Sequence, residues 1–305
     1  MLAEFALEPR LLHNWDRFQR LVSLFGVAQG RLISRFPKMW QQLVLNSVTC
    51  GPAEKARIEE ALRRLLVDRL LNRYHEWRDD LTWLNNAIAE HGKRPFHAIL
   101  AASSVADNND VVDASDLDVT ALPTKMEAGP SKLMVRSARE FASSLRVLLQ
   151  FSKKIVFMDR NFAIDKARFR DPLAEMLMCC LDQFGHPRRA EVELHLGHRI
   201  LDDAADFKAA CDAWLENVIP VGMTFTIVRW NHEDLHNRYI LTDRGGIQIG
   251  EGLDEPNPAS TRIDDVLTTL SLATATELME RYCGAVAKSK QLLQHRIVGR
   301  KKTPS

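Results

Sequence analysis

The sequence predicts an α/β protein: an α-helical N-terminal domain followed by an α/β/α layered domain. Three observations carry this reading. Apolar residues recur at helical spacing through residues 1–95. Short apolar strands then alternate with helical stretches from about residue 131 onward. Between them lies a run rich in aspartate, glycine and proline.

Within the first part, LLHNWDRFQRLVSLFG reads as a helix stopped by Gly26, and RLISRFPKMWQQLVLNSV as a second piece begun or interrupted at Pro37. A third, long piece starts at Thr49–Glu54. It places Ile58, Leu62, Leu66, Leu70, Tyr74, Trp77, Leu81, Leu84 and Ile88 in one seam, with a further helix starting near Trp77 as the alternative. Such a seam is the inner face of a bundle or, as a sharper alternative, a coiled-coil contact. His75 and His91 read as surface residues, and PFHAILAA as a short strand.

Asp107, Asp110, Asp113, Asp116 and Asp118 crowd the next stretch without the central Gly and terminal Glu of an EF-hand loop, so a solvated linker is expected rather than a calcium site. The resulting boundaries are 1–106 for the helical domain, 107–130 for the linker, 131–293 for the α/β domain and 294–305 for a basic tail. In the α/β domain, Ser131 to Lys153 reads as an amphipathic helix and KIVFMD as a strand. Phe169 to Phe184 is a helix, AEVELHL a strand, Asp202 to Val218 a helix and MTFTIVRW a strand, which implies a mostly parallel sheet. A helical stretch is expected from about Ile263 to Leu293.

Composition narrows the function. The 305 residues are 46% apolar, enough for two cores, and 41 Lys+Arg against 40 Asp+Glu argue against a polybasic protein gripping nucleic acid over its whole surface. A local basic groove remains open. The five cysteines have no CxxC spacing, and Cys179 and Cys180 lie in an apolar run as buried thiols. The start lacks a signal-peptide pattern and no apolar run reaches the ~18 residues of a membrane span, so a cytoplasmic protein with no membrane span is expected.

Chemistry concentrates in MTFTIVRWNHEDLHNRYILTDRGGIQIGEGLDE, Met223 to Glu255. Strand ends in an α/β sheet collect functional groups. Asp159, Arg160 and Asn161 follow one strand here and Asn231 follows another. His236 and Arg238, alternate residues of the next strand, would share a face, with Asp243 at its far end. An imidazole can attack phosphorus, a guanidinium offsets charge on phosphoryl oxygens, and a carboxylate orients either. Each group also has an ordinary role: Arg238 and Asp243 could pair across the turn, and Asp159 to Asn161 could cap it. His195 and His198 sit on opposite faces of a strand, a spacing that disfavours a metal pair.

The run H-x-R-x4-D from His236 to Asp243, followed by Gly250, resembles a variant of the H-x-K-x4-D motif of the phospholipase D superfamily. Arg238 stands at the motif's lysine, while Glu251 and Leu253 stand at the serine and asparagine that follow its glycine. Residues 131–293 are also similar to the phospholipase D-like C-terminal domain of MIT-domain proteins, whose bacterial relatives occur in phage-defence and mobile-element settings. The resemblance implies a phospholipase D-like fold and a metal-independent phosphodiesterase, more a nuclease than a lipase, with no cofactor. His236 would be the nucleophile, with His236 of a second copy protonating the leaving oxygen in a homodimer; Arg238 would bind phosphoryl oxygens and Asp243 would orient. Asp159, Arg160, Asn161, Asn231 and Glu251 would contact substrate. The altered motif equally implies an inactive module that binds a phosphate, a nucleic acid or a protein partner. In that case the N-terminal domain docks to a larger assembly.

Overall fold

The computed structural model describes residues 2–65, 69–72, 75–127, 129–182, 184–198, 203–257 and 260–300. The chain is α/β and divides into two compact units, Met1–Pro130 and Ser131–Ser305.

The first unit corrects the expectation of an all-helical domain. Its elements are β1 (Ala3–Leu7), α1 (Trp15–Ser23), β2 (Arg31–Ser34), α2 (Trp40–Ser47), α3 (Pro52–Arg64), β3 (Leu70–Leu71), α4 (Trp83–Lys93), β4 (Ala98–Ala101) and β5 (Val111–Asp113). The strands form one parallel sheet in the order β3-β2-β1-β4-β5. β2 and β4 are buried at every residue and β1 at all but Ala3, so they lack the polar alternation that marks a half-exposed strand. The runs of β1 and β2 therefore read as helix, whereas β4 falls within PFHAILAA, the run expected as a short strand. Trp40 is buried and donates its indole N–H to Leu7 O at 2.6 Å, tying α2 to the end of β1. The aspartate-rich stretch is not wholly linker: Val111–Asp113 extends the sheet as β5.

The expected long seam is three elements. Ile58 and Leu62 lie on α3 and Leu70 on β3; Leu84 and Ile88 belong to α4, whose start Thr82 caps by accepting Asn85 N–H at 3.2 Å. Leu66 and Tyr74 lie outside the described residues, as does part of the basic tail, residues 301–305. His75 is not a surface residue: its side chain is 3% exposed and bonds Ser34 and Glu90.

The second unit comprises β6 (Ser131–Val135), α5 (Ala138–Phe151), β7 (Lys154–Asp159), α6 (Ala167–Met178), β8 (Glu191–His198), α7 (Ala204–Leu215), β9 (Thr224–Asn231), β10 (Arg238–Thr242), β11 (Gly245–Ile249), β12 (Asp264–Leu270), α8 (Leu272–Cys283), α9 (Ala285–Lys288) and β13 (Leu293–Val298). Two expected helices each begin as a strand. Alternating exposure makes β6 and β12 sheet elements, and Ser137 and Ser271 then cap α5 and α8 by accepting N–H groups three residues on.

The sheet order is β13-β9-β8-β7-β10-β11-β12-β6. β7, β8 and β9 run parallel, joined through α6 and α7, while every other described pairing is antiparallel. The sheet is thus mixed rather than mostly parallel, because β10 to β12 return by short connections instead of helical crossovers. Val156 and Met158 of β7 pack in one cluster with Trp230, Leu241, Tyr282 and Ala287; alternation turns the equally buried Ile155 and Phe157 to the other face. Among the described residues, no helix is long and apolar enough to cross a membrane.

Trp40→Phe keeps an aromatic ring but leaves Leu7 O without its indole donor. Chemical denaturation is expected to show a loss of about 1–3 kcal/mol; an unchanged midpoint and slope would remove this bond from the account of the first unit's stability.

Candidate functional site

Strand β7 ends on Asp159, a carboxylate with no exposed surface. Its Oδ1 accepts the Asn161 N–H at 2.8 Å and its Oδ2 accepts the Leu253 N–H at 3.0 Å. Arg238 Nε stands 3.5 Å from Oδ1, and Arg238 Nη1 donates to Gly250 O at 3.1 Å. Burial nevertheless pushes the Asp159 carboxyl above the ordinary carboxylate range, against the pull of the two amides and of Arg238. Gly252 allows this crowding. A Cβ there would lie 2.8 Å from Asp254 Oδ1 and 3.0 Å from Asp159 Oδ2.

Beside this knot, buried Asp254 holds two cations, pairing with Arg136 and, at 2.8 Å, with Arg168 Nη1. Together these groups border a cavity of about 910 Å³ outside the carboxyl ends of β7, β8 and β9. Its cationic groups are Arg136, Arg160, Lys166, Arg168 and Arg229; its acids are Asp159, Asp165, Asp206, Glu251 and Asp254. In this wall Arg136 Nε and Arg160 Nε are buried and have no hydrogen-bond partner among the described residues. The aromatic part of the wall is backed by arginine: Arg229 lies 4.6 Å over Phe207, Arg168 4.8 Å over Phe169, and Arg170 4.6 Å over Trp214.

The residues expected from sequence divide between this cavity and elsewhere. Asp159, Arg160, Asn161 and Glu251 line it, Glu251 also meeting Arg262 at 3.1 Å. Arg238 touches it only through Asp159. Asn231 is exposed, bonds Asp234 at 3.4 Å, and is not in the wall. His236 is exposed and precedes β10 by two residues, so the alternation that would align it with Arg238 does not apply. Asp243 is at the opposite end of the sheet from Arg238, about 17 Å along the strand. There it accepts the Lys153 and Lys154 N–H groups at 2.8 and 3.2 Å, at the start of β7. The expected trio of His236, Arg238 and Asp243 does not converge, because β10 is antiparallel to β7 and its two ends face opposite ends of that strand.

Sequence reading missed Arg136, Lys166, Arg168, Arg229 and Asp254. Two of them stood in view, since Asp254 falls in the Gly-rich run and Arg136 precedes the Ser137 cap; their pairing spans 118 residues and leaves no local pattern. His232 also meets the cavity wall, with Nε2 3.4 Å from Asn161 Oδ1.

A second titratable cluster lies in the sheet interior, where Glu193, His195 and Cys283 offer ligand atoms within 4.8 Å of one another. Trp230 Nε1, which can only donate, points at His195 Nδ1 from 3.2 Å, so the imidazole proton sits on Nε2 and is given to Glu193 at 2.9 Å. That tautomer turns a proton, not a lone pair, toward the cluster. Burial lowers the tendency of His195 to become charged and pushes the Cys283 thiol up to about 11. The group is a hydrogen-bonded core network.

No family model matches the chain, and no curated protein matches it by sequence. Solved structures do match. TrmBL2, an archaeal chromatin protein described with a novel mode of DNA binding, is 8% identical with a TM-score of 0.31, covering 56% of each chain. Nuc from Salmonella typhimurium, a phospholipase D family member, is 15% identical with a TM-score of 0.33, covering 53% of this chain and 96% of its own. Polyphosphate kinase from Porphyromonas gingivalis is 10% identical with a TM-score of 0.32, covering 50% of this chain and 26% of its own. The chain therefore spans little more than half the length of the first of these and about a quarter of the third.

Two substitutions separate the roles of the acids. Asp254→Ala strands Arg136 and Arg168 and is expected to cost about 3–5 kcal/mol in denaturant titrations. Asp243→Ala removes an acceptor from two backbone amides, with an expected cost of about 1 kcal/mol and no change in anion affinity. A large affinity loss in Asp243→Ala, at intact fold, would return that residue to the site.

Proposed function

We propose that residues 131–298 recognise phosphate esters, with a nucleic-acid strand as the ligand class, in the cavity outside β7, β8 and β9. The observation that carries this reading is the pair of buried guanidinium donors, Arg136 Nε and Arg160 Nε, in a wall that holds five cationic groups. A buried N–H without an acceptor costs about 1–3 kcal/mol, which a phosphoryl oxygen offsets through a charge-assisted bond. Arg136 and Arg168 are fixed by Asp254, whereas Arg160 has no carboxylate clamp of that kind in the described contacts; it is the group placed to engage the ligand. Binding rather than turnover is the primary role. Arg238 is already engaged by Asp159 and Gly250 O, and Asp243 serves the far end of the sheet.

Hydrolysis by a homodimer is the second reading, favoured by one feature. His236 is exposed on the turn leading into Arg238, where an imidazole can meet a phosphorus brought to the rim or the His236 of a second copy.

Fluorescence anisotropy with a labelled single-stranded oligonucleotide in EDTA tests both. Arg160→Ala is expected to weaken binding at least ~10-fold and to flatten the salt dependence by about one contact. Equal affinity in that variant would sink the assignment of the cavity. Cleavage of the same oligonucleotide, lost in His236→Ala, would establish the hydrolytic reading, and binding without cleavage would dismiss it.

A further inference from the structure

The first unit carries a cavity of its own. Parallel sheets take ligands outside the carboxyl ends of their strands, and with the order β3-β2-β1-β4-β5 the usual place is the crevice between β1 and β4, where the winding reverses. In this chain a carboxylate stands at that crevice, beside a pocket of only about 280 Å³. Glu8 follows β1, its buried carboxylate accepts the Ala102 N–H at 2.7 Å and pairs with Arg10, and Pro9 supplies no N–H at all. A carboxylate thus sits where a dinucleotide fold would cradle a pyrophosphate.

The space lies two strands over. A cavity of about 510 Å³, within the range of small-molecule sites, opens at the carboxyl ends of β2 and β3 and is lined by Arg35, Pro37, Lys38, Met39, Asn72, His75 and Trp77. Among the described residues, two cations and no carboxylate line it. Arg35 Nε is buried and has no hydrogen-bond partner among the described residues, while Arg35 Nη1 reaches Asn72 Oδ1 at 3.4 Å. Trp77 supplies a half-buried indole whose Nε1 is fixed to Asp79 at 2.9 Å, packed edge-on against Phe36 at 5.5 Å.

His75 stiffens the wall. Its Nε2 meets Ser34 Oγ at 2.8 Å and its Nδ1 meets Glu90 at 3.2 Å; Glu90 in turn holds Arg94 at 2.6 Å and the Glu76 N–H at 3.2 Å. This has the connectivity of a serine-hydrolase relay. Ser34 has no exposed surface and is not part of the cavity wall, however, so no substrate meets its hydroxyl. With both nitrogens engaged and its ring packed against Phe36 and Phe96, the imidazole backs the wall and offers a ligand little surface.

We propose that this cavity binds a mononucleotide, with the base against Trp77 and the phosphate on Arg35 and Lys38. A flat ring matches the aromatic wall, stacking being tolerant of base identity. An oxyanion supplies the acceptor that buried Arg35 Nε lacks. The Asn72 amide, one oxygen lone pair already given to Arg35, keeps its N–H₂ for an edge of the base.

The test uses the full chain in a titration with adenosine 5′-monophosphate, followed by the Trp77 indole N–H resonance, assigned through Trp77→Phe. A saturable shift is expected. Adenosine alone and inorganic phosphate alone should each bind at least ~10-fold more weakly, and Arg35→Gln should weaken the nucleotide at least ~10-fold. Lys38→Ala, at an exposed position, provides a second variant with little risk to folding, and its affinity is expected to fall in the same direction. Arg160→Ala in the second unit should leave the shift unchanged, which separates this site from the other. An unmoved Trp77 resonance, or equal affinity in wild type, Arg35→Gln and Lys38→Ala, would overturn the proposal, and inorganic phosphate as strong as the nucleotide would overturn the role of the aromatic wall.

Discussion

The second unit is organised around one carboxylate. Asp159 stands at the end of a central parallel strand, and its two oxygens fix the Asn161 turn on one side and the Leu253 backbone on the other. Through Arg238 it also reaches the first residue of β10. Three segments distant in sequence are thus anchored to one side chain, which places the cavity floor. This arrangement has an electrostatic cost. Because burial raises its folded-state value, the stability Asp159 contributes is fully present below its ordinary range and is lost as pH rises through the raised value. Arg238 and the two amides limit that loss, and Gly252 makes room for them.

Neighbouring side chains hold most of the arginines that line the cavity. Arg136 and Arg168 share Asp254, and Arg168 and Arg229 also lie over aromatic rings. A guanidinium stacked and paired in this way loses little rotamer freedom when a ligand arrives. The first unit repeats the logic with other parts, where buried Ser34, His75 and Glu90 stiffen the wall of a second cavity.

How far the sequence anticipates this depends on whether a feature is local. The β7–β9 strands with their helical crossovers and the chemical weight of residues 159–161 are visible as short patterns. Of the first unit's sheet only β4 is, because strands such as β2 that are buried on both faces lose their alternation and look like helix interiors. Motif spacing misleads in another way: His236 to Asp243 covers eight consecutive positions, yet an extended strand carries its ends to opposite edges of the sheet. The groups that do meet, Arg136 with Asp254 and Arg238 with Asp159, are paired by topology, which no local window contains.

The Arg136–Asp254 pair also orders events in time. Its partners stand at the two ends of a 118-residue span that includes β7, β8, β9, β10 and β11. During synthesis the ribosome delivers Arg136 long before Asp254. The early chain can pair β7 with β8 and β8 with β9 while the guanidinium waits in solvent. Closure of so long a loop is entropically late, so the Asp254 clamp on Arg136 cannot form before the segment after β11 has emerged.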